Sequence, residues 1–410
     1  MTCVIKTLAK PTRMLPILAL FIWLFPISIL ASNPIVNTPY VLLPVFVFIH
    51  GGGFEIGDAE TFGYKKASEN FASEGIVFVT INYRLGPLGF FTTGDNVIPG
   101  NMGLWDQTLA LQFLNEILSS FGGDPNRITL SGHSAGSSSV SALLFSPHSN
   151  DLFQQAIEMS GSVFAEYAMG QDVIKAFQTG IDNLIGKIRI RKNHWGNFSR
   201  EDLLDFIKTG VVIEDEFGSK MGQFLHLLEE FYADRDIPDK PDNKFYLQRY
   251  IESSIERDFQ LISDLLFNIP VYHEIDLKRM NGWETYYYVI EHPSNPFVDK
   301  DVPVKGLCQN IYYNNGKELF IVFNYYSLNL SDHEKKHYRN PSTSEVMWNP
   351  VTKDDPRTNL RLKAHPEMNS SFRTNAMEFW LKIVPNTIGA QILHRSRLPG
   401  AQAHIKHTEL

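Results

Sequence analysis

The chain has 410 residues, enough for one large α/β domain or two smaller ones, and its 43% hydrophobic and 20% charged residues are an ordinary globular balance. A net charge of −8 with no strong basic run argues against nucleic acid as a partner; the densest run, Lys187 to His194, reads as a solvated strand or loop. The two cysteines, Cys3 and Cys308, do not make a disulfide framework.

Lys6, Lys10 and Arg13 precede an apolar run from Met14 to Ala31. Pro16 and Pro26 interrupt the run, and Ile29-Leu30-Ala31 before Ser32 offers a cleavage site. This pattern predicts a secretory signal peptide over residues 1–31. An uncleaved signal anchor is the alternative, because the run is near the length that spans a bilayer. Cleavage would remove Cys3 and leave Cys308 unpaired.

Pro44 to Ile49 (PVFVFI) is a continuous apolar run, as expected of a strand buried on both faces. It leads into His50-Gly51-Gly52-Gly53-Phe54. Three glycines after a strand let backbone N–H groups point into one cavity, as in an oxyanion hole of the HGGG type. A flexible loop is the plainer reading. A helix is expected over Thr61–Ser73, a second buried strand over Ile76–Asn82 and a turn-rich loop over Tyr83–Phe90. Ala110, Phe113, Leu114, Ile117 and Leu118 recur at helical spacing and predict an amphipathic helix. It stops at Phe121-Gly122-Gly123-Asp124-Pro125.

Ile128 to Ser131 reads as a short buried strand, followed by Gly132-His133-Ser134-Ala135-Gly136 and a run of small residues able to open a helix. A G-x-S-x-G pentapeptide between strand and helix is the nucleophile elbow of a serine hydrolase. The glycines permit the sharp turn, and the Ala135 N–H at the helix start can donate to a developing oxyanion. The bare pattern is weak, because a Gly-rich turn packing helix on sheet has the same letters. Two such motifs, each after a strand, carry more. Alternation of strands and helices predicts a parallel sheet with right-handed crossovers.

The run GNMGLWDQTLALQFLNEILSSFGGDPNRITLSGHSAGSSSV resembles the type-B carboxylesterase and cholinesterase family, as do PVFVFIHGGGF, INYRLGPLGF and LFQQAIEMSGS. The resemblance is dense from Leu43 to about Val163. It implies an α/β-hydrolase fold, with a mainly parallel central sheet flanked by helices, over a domain of residues 32–396. It also implies hydrolysis of small-molecule carboxylic esters without a metal or organic cofactor. Matched motif to motif, Ser134 is the nucleophile, and Gly52, Gly53 and Ala135 supply the oxyanion N–H groups. His133 stands where many members carry Glu.

Elsewhere the chain departs from the family pattern. The N-terminal section that precedes the HGGG strand is lacking, and a family segment is missing near 177–188. The acidic triad member is not identified. Glu214, Asp215 and Glu216 follow an apolar run and could mimic a strand-end acid, although a solvated loop explains them more simply. Ser199, with Asp202 three residues on, is expected to cap a helix. Ser263 to Pro270, the strand Glu284 to Glu291 with His292 at its end, Trp348-Asn349-Pro350 and Phe379-Trp380 resemble later family landmarks. Where the family has G-x-x-H, this chain reads Gly306-Leu307-Cys308-Gln309. A glutamine at the histidine position cannot act as a general base.

Asn197, Asn329 and Asn369 begin N-x-S/T sequons, as suits a luminal glycoprotein. Within the tail, 397–410, the final His407-Thr408-Glu409-Leu410 resembles an endoplasmic-reticulum retrieval signal. The endoplasmic reticulum lumen is therefore expected, with secretion as the alternative. No second run of spanning length predicts a C-terminal membrane anchor. The functional expectation is a serine carboxylesterase of impaired activity. A non-catalytic cholinesterase-like binding protein, or an incomplete chain of an active esterase, remains open.

Overall fold

A computed structural model describes residues 28–30, 41–60, 67–68, 70–93, 96–169, 198–212, 217–241, 245–246, 249, 261–290, 346–362 and 365–389. They fall into two compact units, one up to Val163 and one from Phe164 onward.

The first unit is built on five strands: β1 (Ser28–Leu30), β2 (Leu43–Ile49), β3 (Val77–Ile81), β4 (Gly123–His133) and β5 (Gln155–Met159), in the order β1-β3-β2-β4-β5. β2 is parallel to both β3 and β4, and β4 is parallel to β5; only β1 runs antiparallel, against β3. β2 (LPVFVFI) and β3 (VFVTI) are dominated by valine, isoleucine and phenylalanine, residues that fit a pleated surface buried on both faces. Their inner residues from Val45 to Ile49 and from Val77 to Ile81 are all buried, as the apolar runs predict. One sheet face packs Val45, Val47, Val79 and Leu130 against Leu111 and Leu114. The opposite face carries Phe46 and Phe78, with ring centroids 5.8 Å apart, and Phe71 at 5.0 and 4.7 Å from them. Each such side chain contributes about 1.5–3 kcal/mol when fully buried.

A short helix, α1 (Gly86–Phe90), precedes the long α2 (Met102–Ile117). The expected amphipathic helix is present: Ala110, Leu114 and Leu118 are buried as the spacing predicts, Asp106, Gln107 and Leu111 are buried with them, and Phe113 and Ile117 are only half-buried. It ends as the glycine-rich breaker predicts. A 3₁₀ turn over Leu118–Phe121 leads to Gly122 at φ 83°, whose N–H donates to the Leu118 and Ser119 carbonyls. β4 is longer than the expected Ile128–Ser131. β1 lies within the stretch expected as a signal peptide, so cleavage after Ala31 would remove an edge strand. Of the helix expected over Thr61–Ser73, residues 61–66 and 69 lie outside the described residues; Ala67, Ser68 and Asn70 are helical, and a 3₁₀ turn over Ala72–Glu74 follows.

The second unit is mainly helical. α4 (Arg200–Phe206) opens with the expected capping box: Asp202 N–H donates to Ser199 Oγ at 3.2 Å, and Ser199 N–H donates to Asp202 Oδ2 at 2.8 Å. α5 (Met221–Leu228), α6 (Ile269–Met280), α7 (Thr374–Glu378) and α8 (Val384–Ile388) follow. Wide π-helical turns over Ile207–Val211, Glu229–Asp234, Asp264–Asn268 and Phe379–Ile383 interrupt or extend them. β6 (Tyr288–Ile290) is parallel to β7 (Asn359–Leu362), which is antiparallel to β8 (Glu367–Asn369). The strand expected over Glu284–Glu291 is thus short; before it, the Tyr287 carbonyl accepts from Leu360 N–H and Trp348 Nε1. Three of the π turns meet in the core, where Trp380 Nε1 donates to Tyr232 Oη at 2.6 Å and Tyr232 Oη donates to Asp264 Oδ2 at 2.9 Å. Arg373 pairs with the other oxygen of Asp264, which also accepts from Asn268.

Candidate active site

The register of the parallel sheet creates the site. Ile49 at the end of β2 lies opposite Gly132 near the end of β4, so the residues that follow both strands emerge side by side at one sheet edge. Such C-terminal edges are where open α/β sheets bind ligands.

At the end of β4 the chain reverses into α3 (Ala135–Phe145). Ser134 has φ 55° and ψ −122°, outside the helical, extended and left-handed regions. Its N–H donates to the Met159 carbonyl at the end of β5 at 2.9 Å, and its own carbonyl accepts from Ser138 N–H at 3.0 Å. Neighbouring strand and helix thus hold the strained residue from both sides. Both elbow glycines are required by close approach. A Cβ on Gly132 would lie 2.2 Å from the Gly136 carbonyl oxygen, and one on Gly136 would lie 2.1 Å from that of Ile49. Neither obstacle is a flexible side chain. The Gly136 approach also brings the start of α3 against the end of β2.

The first glycine after β2 meets the serine directly: a Cβ on Gly51 would be 3.0 Å from Ser134 Cβ and 2.4 Å from the His133 carbonyl oxygen. Gly52 (φ 120°) and Gly53 (φ 65°) carry the chain onward. The Gly52 carbonyl accepts from Glu55 and Ile56 N–H, both at 3.1 Å. Ala135 is fully buried. The four residues assigned by resemblance therefore lie on two neighbouring strand ends. Gly51, which was not assigned, is the glycine that touches Ser134.

His50 was also missed. It is 2% exposed, and its ring stacks on Tyr83 with centroids 4.6 Å apart. Its Nδ1 donates to the Gly51 carbonyl at 2.9 Å, and its backbone carbonyl accepts from Tyr83 Oη at 2.9 Å. Nε2 is buried without a hydrogen-bond partner among the described residues. Burial lowers the pKa of His50, against the opposing Gly51 carbonyl and Asp58 charge, so the ring is neutral at pH 7. Burial pushes the Tyr83 hydroxyl up. Beneath α3, Gln107 Nε2 donates to Ser139 Oγ at 3.1 Å and Ser137 Oγ to the Gly161 carbonyl at 2.8 Å.

A profile of the Carboxylesterase family matches residues 27–208. The chain is 52% identical over 346 residues to "Esterase cest-33" of Caenorhabditis elegans, across 68% of this chain and 62% of the relative. It is 28% identical over 344 residues to "Gut esterase 1" of Caenorhabditis briggsae, across 64% and 60%. It is also 45% identical over 150 residues to "Esterase FE4" of Myzus persicae, across 37% and 26%. Residues 27–208 belong to the carboxylesterase family. Their parallel sheet flanked by helices is the α/β-hydrolase fold that membership implies. The chain spans about 60% of the length of the two relatives that it matches over most of its own length.

The rest of the family constellation falls elsewhere. Gln309, at the position of the family histidine, lies outside the described residues, as do His292, Glu214 to Glu216, Asn197, Asn329 and the HTEL end. Asn369 ends β8 in the second unit, where its Oδ1 accepts from Ser371 N–H at 2.6 Å and Ser371 Oγ at 3.1 Å. Among the described residues no group of three or more His, Cys, Asp or Glu is placed to hold a metal ion, and no helix is long and apolar enough to cross a membrane.

Proposed function

We propose that this carboxylesterase-family chain is a serine hydrolase of small carboxylic esters whose turnover is limited by its proton chemistry. Ser134 Oγ attacks the ester carbonyl carbon, and the carbonyl oxygen becomes an oxyanion bound by the N–H groups of Gly52, Gly53 and Ala135. Collapse expels the alcohol and leaves an acyl-serine, which water hydrolyses to the acid. The observation that carries this reading is the backbone of Ser134 (φ 55°, ψ −122°), held in place by Met159 and Ser138 and touching Gly51. Conformations so sparsely populated cost about 1–3 kcal/mol and cluster at functional sites.

Gln309 leaves Ser134 without the base that takes its proton. In triad hydrolases, loss of the histidine alone costs about 10⁶ in turnover. Oxyanion donors and binding retain about 10³–10⁴ over water. The chain is therefore expected to hydrolyse p-nitrophenyl acetate slowly and to lose that activity in Ser134→Ala. Gln309→His raises it only where a carboxylate orients the new imidazole. Rapid turnover by the unsubstituted chain, abolished by Ser134→Ala, would show that another base serves. Turnover that survives Ser134→Ala removes the serine from the mechanism.

The apolar N-terminal run, the sequons at Asn197, Asn329 and Asn369, and the HTEL end agree on the secretory pathway, with retention in the endoplasmic reticulum lumen. Deleting His407 to Leu410 should release the protein to the medium. Unchanged retention would contradict the retrieval signal.

A further inference from the structure

We infer that Tyr83 is a positioning residue for the oxyanion loop, acting through His50. The inference rests on the serine-hydrolase reading of Ser134. The loop is poorly equipped to hold its own shape. Gly52, Gly53, Phe54 and Gly57 all have positive φ, of 120°, 65°, 63° and 113°. A Cβ built on Gly53 meets nothing within 4 Å among the described residues. Between Gly52 and Gly57 the Gly52 carbonyl accepts from Glu55 and Ile56 N–H, both at 3.1 Å.

Its support comes from the stretch Asn82–Phe90. Tyr83 Oη donates to the His50 carbonyl at 2.9 Å, while the two rings stack. Gly86 N–H donates to the Phe54 carbonyl at 2.7 Å, and the Phe54 and Phe90 rings lie 4.8 Å apart. Just past the loop, Ala59 N–H donates to Asn82 Oδ1 at 2.7 Å. That stretch is itself fixed to α2. Buried Asp106 accepts from Arg84 N–H at 3.0 Å, from Nε at 2.7 Å and from the terminal guanidinium nitrogen at 2.7 Å. Rigid α2 thus reaches the glycines through Asp106, Arg84, Tyr83 and His50. Oxyanion donors work by being fixed before charge develops. Loosening their support therefore slows the step in which the oxyanion forms and leaves ground-state binding unchanged.

The test uses the full chain, Tyr83→Phe, Tyr83→Leu and Ser134→Ala. Tyr83→Phe keeps the stacked ring and removes one hydrogen bond. Hydrogen exchange in peptides covering 50–57 should rise in Tyr83→Phe and further in Tyr83→Leu, with β2 and β4 unchanged. The limiting rate of fluorophosphonate addition to Ser134 should fall about three- to ten-fold in Tyr83→Phe, the range that one lost hydrogen bond allows. Half-saturation by the probe should stay within about two-fold, as a transition-state contact requires. Unchanged exchange at 50–57 in both variants, or an unchanged limiting rate, overturns the inference. Labelling that survives Ser134→Ala overturns the serine reading, and with it the catalytic meaning of the loop, even where exchange responds as expected.

Discussion

The first unit packs its sheet with an apolar cluster and has non-glycine residues of positive φ at Phe54, Asn101, Ser134 and Ser160, of which Ser134 and Ser160 directly follow β4 and β5. The second unit differs at its centre. Its charge lies in the core, where Asp264 is fully buried with Arg373, Tyr232 and Asn268 around it. Burial pushes the Asp264 carboxyl above its ordinary range, against the pull of these partners. Three π turns supply Tyr232, Asp264 and Trp380, so the hydrogen-bonded chain also fixes how those turns face one another. Substitutions at the first unit's strained positions should change reactivity before stability. Substitutions in the second unit's network should change stability first.

The largest expected effect tests the second half of that contrast. Arg373→Met leaves a buried carboxylate without its counter-charge. Breaking such a pair from one side costs about 3–5 kcal/mol, whereas replacing both partners by apolar groups of similar volume is often close to neutral. Hydrogen exchange in peptides covering 261–280 and 372–388 reads this locally, without assuming that the whole chain unfolds in one step. Arg373→Met should remove most protection there, and Asp264→Leu combined with Arg373→Met should restore part of it. A loss below about 1 kcal/mol in the single variant would mean that the carboxyl takes up a proton or is reached by water, and the contrast would fail.

The first unit has a buried titratable group of its own, which gives a smaller effect. Burial holds the pKa of His50 below the ordinary value of 6.5, so the unfolded chain takes up the proton at a higher pH than the folded one. As pH falls below about 6.5, the unfolded state binds more protons and the first unit loses stability, which is regained as pH rises again. One proton sets the slope at no more than about 1.4 kcal/mol per pH unit. Asp58 is the nearby charge that opposes the shift, and Tyr83 stays neutral throughout. Thermal melts between pH 7.5 and 5, followed by exchange in β2 and β3, should show the loss in the native chain and a flatter profile in His50→Asn. A gain in stability on acidification would mean that His50 is charged and paired.

Local features were legible in the sequence. Two apolar runs became β2 and β3, Ser199 with Asp202 became a capping box, and the glycine-rich breaker ended α2. Each depends on residues a few positions apart, whose sterics and hydrogen bonds do not need the rest of the chain. The apolar spacing found Ala110, Leu114 and Leu118 on the buried side of α2, but not Gln107, a polar residue that the fold buries against Ser139. Non-local pairings left no local mark. His50 and Tyr83 are 33 residues apart, and Asp264 and Arg373 are 109 apart. The π turns were equally silent, since an extra residue in a helical turn changes no periodicity that a short window can detect. At the candidate site, the G-x-S-x-G and HGGG letters marked two strand ends. The Ile49–Gly132 register, which makes them neighbours, had to come from the structure.

The smallest effect isolates strain from chemistry at one residue. Glycine adopts positive φ without the Cβ penalty, so Ser134→Gly should release part of the about 1–3 kcal/mol stored there. It also gives the unfolded chain more freedom, which costs roughly 0.5–1 kcal/mol. The net expectation is a gain of about 1 kcal/mol in the first unit, read as a higher unfolding midpoint or slower exchange in β4 and α3. Ester hydrolysis and fluorophosphonate labelling should both vanish, because the attacking oxygen is gone. Ser134→Ala separates the two effects: it removes the same oxygen but keeps the Cβ and therefore the strain, so its stability should stay near that of the parent. Equal stability in Ser134→Gly and Ser134→Ala would show that the Met159 and Ser138 hydrogen bonds hold the turn without strain. A gain confined to glycine, with activity lost in both, would show that the first unit stores strain at its proposed nucleophile.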